Sequence, residues 1–315
     1  MSGWGSGYVT DVTYLTGYFR HQSPSLLSAA CLLGSVERSL PAHDEPISYL
    51  ELGCGRGFTS LLLAASNPSW TVTAIDFNPA HVATARAWAT KARLDNIRIL
   101  EADVSTLAED PAAAEVPEAD FVSMHGVWSW VPPSVQDGIV RLLRQKVKAG
   151  GAVHVSYNAL PAWGPALGMQ RIVREGGKRL AARSDKQAAE GLKLVQELRG
   201  ADAYQLVRSV WLKSLIERAA ELPTSYLAHE YMNDFWAPCF HADVAKALQG
   251  NNAKNLIILV GRKKDLNSKG EFVDPWGTPL RIYFAGEGIL VRSAGPNKRF
   301  DDSTVLNQDD YYRSN

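Results

Sequence analysis

The sequence predicts an α/β protein: an open, doubly wound parallel sheet with a helical insertion and a small C-terminal β-rich module. Three observations predict it. Between Ile47 and Tyr157, short apolar runs alternate with helix-length segments, the pattern of parallel βαβ units joined by right-handed crossovers. The first apolar run ends in a glycine-rich turn, Gly53-Cys-Gly-Arg-Gly57, which opens a helix. The rhythm then changes at Pro161, where helix follows helix, and again near Asn251, where turn residues separate short β-type runs.

Residues 1–46 form a preface: Ser2–Gly7 is Gly/Ser-rich, Tyr8–Phe19 is aromatic, and Ser25–Arg38 reads as a helix with Leu26, Leu27, Ala30, Leu33 and Val36 at helical spacing. Strands are predicted at Ile47–Leu52, Thr71–Ile75, Ile97–Leu100, Phe121–Met124 and Ala152–Tyr157. Helices fall between them at Phe58–Ala65, Pro79–Ala92 and Pro132–Val147. Asn78 is a good N-cap, and Pro79 suits the first helical position because its missing N–H has no partner to lose there. After Pro161 come helices at Leu167–Ala182, Gln187–Leu198, Tyr204–Ala220 and Phe240–Leu248. Leu256–Val260 reads as a buried strand, and Leu280–Phe284 with Ile289–Val291 as a hairpin around Gly286-Glu-Gly288. The divisions are 1–46, an N-terminal helical preface or lid; 47–160, the α/β core; 161–246, a helical substrate or lid region; and 247–315, the β tail.

Among 315 residues, 33 Lys+Arg balance 33 Asp+Glu, so no global field draws in nucleic-acid backbones, and no nucleic-acid partner is expected. Cys31, Cys54 and Cys239 have neither disulfide-framework nor zinc-ligand spacing. No basic-then-apolar leader and no apolar run of about 18 residues is found, so the expectation is a cytoplasmic protein without a membrane partner.

Candidate site residues gather at predicted strand ends. Glycines at 53, 55 and 57 permit positive φ and close approach of a ligand to the backbone. Their G-x-G-x-G spacing puts Phe58 where a dinucleotide site has its third glycine, and Glu51 just before the turn repels a diphosphate. Asp76, 23 residues after Gly53, ends the second strand, where a carboxylate accepts from ribose hydroxyls; Asp103 follows the third, where one meets an adenine amino group. An acidic, adenosine-shaped site fits a cationic nucleoside better than a polyphosphate.

Glu51-Leu-Gly-Cys-Gly-Arg-Gly57, Ala74-Ile-Asp-Phe-Asn-Pro79, Glu101-Ala-Asp-Val104, Asp120–His125 and Lys148-Ala-Gly-Gly-Ala152 together resemble class I S-adenosylmethionine-dependent methyltransferases, which are Rossmann-like. The resemblance implies S-adenosyl-L-methionine as cofactor, held by Glu51, Gly53, Cys54, Gly55, Gly57, Asp76, Phe77, Asp103 and Val104. His125, ending the fourth strand, is the candidate base or contact to substrate or cofactor. The partner implied is a small-molecule or protein methyl acceptor. Tyr8–Tyr14, His125–Val131, Val155–Asn158 and His229–Asn233 are similar to bacterial methyltransferases that carry a regulatory domain. The tail, Asn267–Asn297 above all, resembles the β module of type II secretion pseudopilins; Asp301, Asp302, Asp309 and Asp310 read as a solvated acidic terminus rather than as the calcium site that such tails carry, and no metal is expected. Two rival readings are a nucleotide-cofactor oxidoreductase and a non-catalytic scaffold on the same fold. Tyr8, Tyr14 and Tyr18 are candidates for an N-terminal lid, and Arg171, Arg174, Lys178, Arg179 and Arg183 for a solvated basic face.

Overall fold

β1 (Ser48–Leu52), β2 (Thr71–Asp76), β3 (Ile97–Glu101), β4 (Ala119–Met124), β5 (Val147–Val155) and β6 (Ile257–Val260) build one sheet of a computed structural model. Their spatial order is β3-β2-β1-β4-β5-β6, and every pairing is parallel. The structure describes residues 7–33, 45–249, 257–260, 273, 276–285, 288–294, 297–300 and 311–314. Strand order reverses between β1 and β4, the switch point at which open α/β sheets form ligand crevices beyond their strand C-termini.

Both faces of the sheet are covered, as a parallel sheet requires. α2 (Phe58–Ser66) and α3 (Pro79–Lys91) lie to one side of the switch, and α4 (Pro133–Lys146) to the other. Leu50, Leu52, Val122, Met124, Ile139 and Leu142 pack into one fully buried layer. Leu61, Ala74, Val82, Ala85 and Ile99 form a second cluster under α2 and α3. The Asn78 side chain accepts from the Ala80 N–H at 3.0 Å, the cap expected before Pro79. β5 starts at Val147, five residues before the predicted Ala152, because the strand runs on through Gly150, at φ +73°. The family resembled here normally ends its sheet with an antiparallel pair. β6 instead pairs parallel with β5, from Ala152↔Ile257 to Val155↔Val260. The helices between the two strands carry the chain back to the start of the sheet, so β6 enters in the same direction.

Those helices are α5 (Ala166–Leu180), α6 (Ser184–Gly200), α7 (Tyr204–Val207), α8 (Val210–Glu221), α9 (Thr224–Tyr231) and α10 (His241–Gln249). The single helix expected at Tyr204–Ala220 is two, because the Ser209 hydroxyl caps α8 by accepting from the Leu212 N–H at 3.1 Å. α9 was not anticipated from periodicity. Met169, Val173, Ala188, Val195, Ile216 and Ala228 are the buried centre of a separate core. α5 and α6 meet backbone to backbone: a Cβ added at Gly177 would lie 2.1 Å from the Gln187 carbonyl oxygen, and one at Gly191 2.1 Å from that of Val173. The basic stripe on α5 is largely neutralised, with Arg174 and Lys178 both on Asp234 Oδ1, at 2.6 and 2.8 Å, and Arg171 near Glu175.

α1 (Pro24–Leu33) is the first part of the predicted preface helix; residues 34–38 lie outside the described residues. β7 (Arg281–Ala285) and β8 (Gly288–Ser293) make the expected hairpin, and β9 (Tyr311–Ser314) adds antiparallel to β8. Asp301, Asp302, Asp309 and Asp310, expected as a solvated acidic terminus, fall outside the described residues. Among the described residues no three His, Cys, Asp or Glu side chains are grouped to hold a metal, and no helix is long and apolar enough to cross a membrane.

Candidate functional site

The glycine turn is built around β2. The Gly53 and Cys54 N–H groups both donate to the Ile75 carbonyl, at 2.9 and 3.0 Å. Gly53 sits at φ +69°, and a Cβ there would stand 2.6 Å from Val127 Cγ2, so both backbone conformation and space demand glycine. Gly55, at φ +56°, donates its N–H to Asp76 Oδ2 at 2.7 Å. Asp76 Oδ1 accepts from the Asn78 N–H at 2.9 Å and faces His81 Nδ1 at 3.4 Å. Asp76 therefore holds the turn as well as ending β2, while each of its oxygens keeps lone-pair capacity.

Glu51 is 4% exposed and accepts from the Ser60 hydroxyl. Burial pushes its carboxyl up to about 7; Ser60 and the nearby Gln22 amide work against that, and Asp76 adds to it. Asp103 is exposed, and its Oδ1 takes the Ser105 N–H at 2.8 Å. Glu51, Gly53, Cys54, Gly55, Asp76, Phe77, Asp103, Val104 and His125 all line one cavity. Gly57 does not: it starts α2 from behind, where an added Cβ would lie 3.1 Å from Ala85. The Cys54 thiol is raised by burial and by Glu51 and Asp76, so it stays protonated, in keeping with a small turn residue. His125 Nδ1 lies 3.0 Å from His21 Nε2 and 2.9 Å from Ser156 Oγ. Burial, with His21 adding to it, drives the imidazolium form of His125 down to about 3, so the ring is neutral at physiological pH.

Residues 50–151 match the family model described as methyltransferase domain, and residues 223–254 one described as predicted methyltransferase regulatory domain. Residues 50–151 are thus similar to a methyltransferase domain. The chain is 33% identical over 246 residues to the uncharacterized protein sll1526 of Synechocystis, a match that covers 78% of this chain and 47% of that one. It is 26% identical over 150 residues to a carboxy-S-adenosyl-L-methionine synthase of Dichelobacter nodosus, covering 42% of this chain and 60% of the relative. The structure of PKMT2 from Rickettsia typhi in complex with AdoHcy superposes with a TM-score of 0.61 at 21% identity, over 76% of this chain and 44% of that one. That likeness shows the fold. The chain thus spans about half the length of the Synechocystis and Rickettsia typhi proteins.

Part of the cavity wall comes from ahead of the matched segment, residues 50–151. Tyr8, Tyr14, Leu15, Thr16, Gly17, Phe19 and Gln22 lie along it. This N-terminal segment is strapped at both ends. Towards α9, the Val9 N–H donates to Asn233 Oδ1 at 2.8 Å, the Asp234 N–H donates to the Gly7 carbonyl at 2.7 Å, and His229 Nε2 donates to the Val12 carbonyl at 2.9 Å. Tyr14 meets the His229 ring edge-on at 5.0 Å. Towards the methyltransferase domain, Arg56 Nη1 donates to Thr16 and the Phe19 N–H to Thr59 Oγ1, at 2.9 and 3.1 Å. Of the three tyrosines singled out in the sequence, Tyr8 and Tyr14 face the cavity, whereas Tyr18 is 46% exposed and outside its wall. Trp130 lines the cavity, while Trp128 is buried in the core under α4. Phe19, His21 and Gln22 had no periodicity or motif to mark them; their only sequence signal is the aromatic density of the preface.

Proposed function

We propose that the chain is an S-adenosyl-L-methionine-dependent methyltransferase acting on a small-molecule or protein acceptor. One observation carries the reading: carboxylates at or just past the ends of three adjacent parallel strands, Glu51, Asp76 and Asp103, line one cavity with the Gly53-Cys54-Gly55 turn. The set fits the cofactor chemically, since an acidic wall suits a cationic nucleoside and opposes a polyphosphate. The methyltransferase domain match, and the AdoHcy named for the Rickettsia typhi structure of the same fold, support it.

When bound, the sulfonium supplies a methyl carbon that a nucleophile takes by in-line displacement, the C–S electrons remaining on a neutral thioether. The chain's residues bind and align. Asp76 accepts from the ribose hydroxyls with the lone pairs left by Gly55 and Asn78. Phe77, Asp103 and Val104 flank the adenine. Glu51 receives the ammonium group. His125, neutral and at the cavity wall, serves as a hydrogen-bonding contact to substrate or cofactor, because a group held near 3 is a weak proton acceptor. The N-terminal segment keeps water from the reacting atoms. Alignment of this kind is worth about 7–11 kcal/mol in well-oriented systems.

Isothermal titration of the full chain tests the reading. S-adenosylmethionine and S-adenosylhomocysteine should bind and NAD should not; tight NAD binding with neither sulfur nucleoside retained would refute it. Isotopically labelled methyl donor incubated with cell extract then traces the acceptor. As part of the same proposal, the chain works in the cytoplasm, residues 161–246 cover the acceptor side, and the antiparallel β7–β8–β9 sheet belongs to a pseudopilin-like module.

A further inference from the structure

We propose that Gln22, carried on the N-terminal segment, receives the α-carboxylate of the cofactor's amino-acid end, beside the Glu51 that takes its ammonium group. The inference rests on the cavity being an S-adenosylmethionine site, and it assigns the cofactor's second charged group to a residue outside the methyltransferase domain.

An amino-acid zwitterion needs an acceptor for its ammonium and donors for its carboxylate. Glu51 supplies the first and repels the second. Gln22 forms part of the same wall and is fully buried. Its Nε2 makes no hydrogen bond of normal geometry, although it lies near enough to Glu51 to help hold that carboxyl down, and an amide nitrogen carries two N–H groups. The orientation of the amide is set from behind. Ser123 Oγ, on β4, donates to Gln22 Oε1 at 2.6 Å and lies 3.1 Å from His154 Nδ1, on β5. A serine hydroxyl has one proton. Spent on Gln22, it leaves the oxygen to accept from an Nδ1–H of a neutral His154, and burial does push His154 towards the neutral form. This chain of donors runs one way, from His154 through Ser123 to the Gln22 oxygen. The amide NH2 is therefore the end turned to the cavity beside Glu51, with an N–H left for a ligand. Arg56 also lines the cavity, but its guanidinium stacks on Trp88 at 4.6 Å and gives Nη1 to Thr16. Because Gln22 belongs to the strapped segment, a bound carboxylate ties that segment to the sheet.

The test is titration of the full-length protein and its Gln22→Ala and Gln22→Glu variants with two probes: S-adenosylmethionine, and decarboxylated S-adenosylmethionine, which lacks only the α-carboxylate. Losing a hydrogen bond to a charged group predicts a roughly tenfold to hundredfold weaker affinity of Gln22→Ala for S-adenosylmethionine. Its affinity for the decarboxylated probe should stay within about twofold of the parent. Gln22→Glu should lose more on the first probe and none on the second, which also shows that the variant is folded. An equal loss on both probes would make Gln22 merely structural and overturn the proposal, as would an unchanged affinity for S-adenosylmethionine. A parent protein that binds neither probe would instead remove the cofactor reading itself.

Discussion

The two halves of the cavity wall are made in different ways. On the sheet side, Glu51, Asp76 and Asp103 are placed by short-range geometry: each is at or just past the end of a strand, and the parallel ladder carries all three to one edge. On the other side, Tyr8, Tyr14 and Gln22 come from a segment with one short 3-10 turn, Arg20–Gln22, and no strand. Its positions are set by hydrogen bonds to partners far along the chain: Val9 to Asn233 across 224 residues, Val12 to His229 across 217, Gln22 to Ser123 across 101. The sheet side is a consequence of local pattern, and the strap side of which distant surfaces meet. A rigid sheet edge with a strap closing over it matches a site that must fix a cofactor and still exchange it.

Four changes sharpen that contrast, and they are ordered by expected size. Asp76→Ala removes both the cofactor contact and the acceptor that holds the Gly55 and Asn78 N–H groups. Cofactor affinity should fall by at least about a hundredfold, roughly 3 kcal/mol for charged hydrogen bonds, read by titration calorimetry. An unchanged dissociation constant would contradict the sheet-side assignment.

Glu51→Gln separates stability from binding. The folded protein holds the Glu51 carboxyl up to about 7, above its ordinary 4.5, so between these values the native state binds more protons than the unfolded chain. Stability from this group is greatest below about pH 4.5 and is lost as pH rises through 7, by up to about 3 kcal/mol. The variant should therefore melt higher than the parent at pH 8 and similarly at pH 4.5, yet bind S-adenosylmethionine less well. In the parent, cofactor affinity should rise with pH up to about 7 as Glu51 ionises. Equal melting shifts at both pH values would defeat the buried-charge account.

Gly191→Ala tests the helical layer under the strap. A methyl there would meet the Val173 carbonyl oxygen at 2.1 Å, so α5 and α6 must separate. Overpacking of this kind costs about 1–3 kcal/mol, measurable by urea denaturation, and no loss would mean that the helices have room to shift. Asn233→Ala is the mildest change: it deletes the acceptor for the Val9 N–H, worth about 1 kcal/mol locally. Hydrogen exchange of residues 8–16 should quicken about fivefold while β1 and β4 keep their protection. Uniform quickening would show that strap and sheet do not open separately.

The α/β alternation and the glycine turn were legible because each leaves a local mark: apolar runs of strand length, a cap such as Asn78-Pro79, glycines where φ must be positive. Nine of the ten candidate site residues line the cavity: Glu51, Gly53, Gly55, Asp76 and Asp103 follow from such local marks, and Cys54, Phe77, Val104 and His125 from the family resemblance, while Gly57 stands behind it because the third glycine serves helix packing. The split between α7 and α8 was missed because a lone serine cap competes weakly with apolar spacing on both sides. The direction of β6 leaves no mark in the sequence, because strand sense depends on where the preceding helices deliver the chain. Gln22, His21 and Phe19 were not legible as site residues at all.

By itself, the sequence determined the alternation of β1 to β5 with α2, α3 and α4, the turn that ends β1, and the acidic character of the strand ends, since these follow from spacing, backbone freedom and side-chain charge. Only the tertiary structure decided that β6 joins in parallel, that α5 and α6 touch through glycine, and that the preface lies across the cavity with the Gln22 amide turned by Ser123. The β6 pairing and the Gln22 orientation depend on segments more than about 100 residues apart coming together, where a partner and not a pattern supplies the energy.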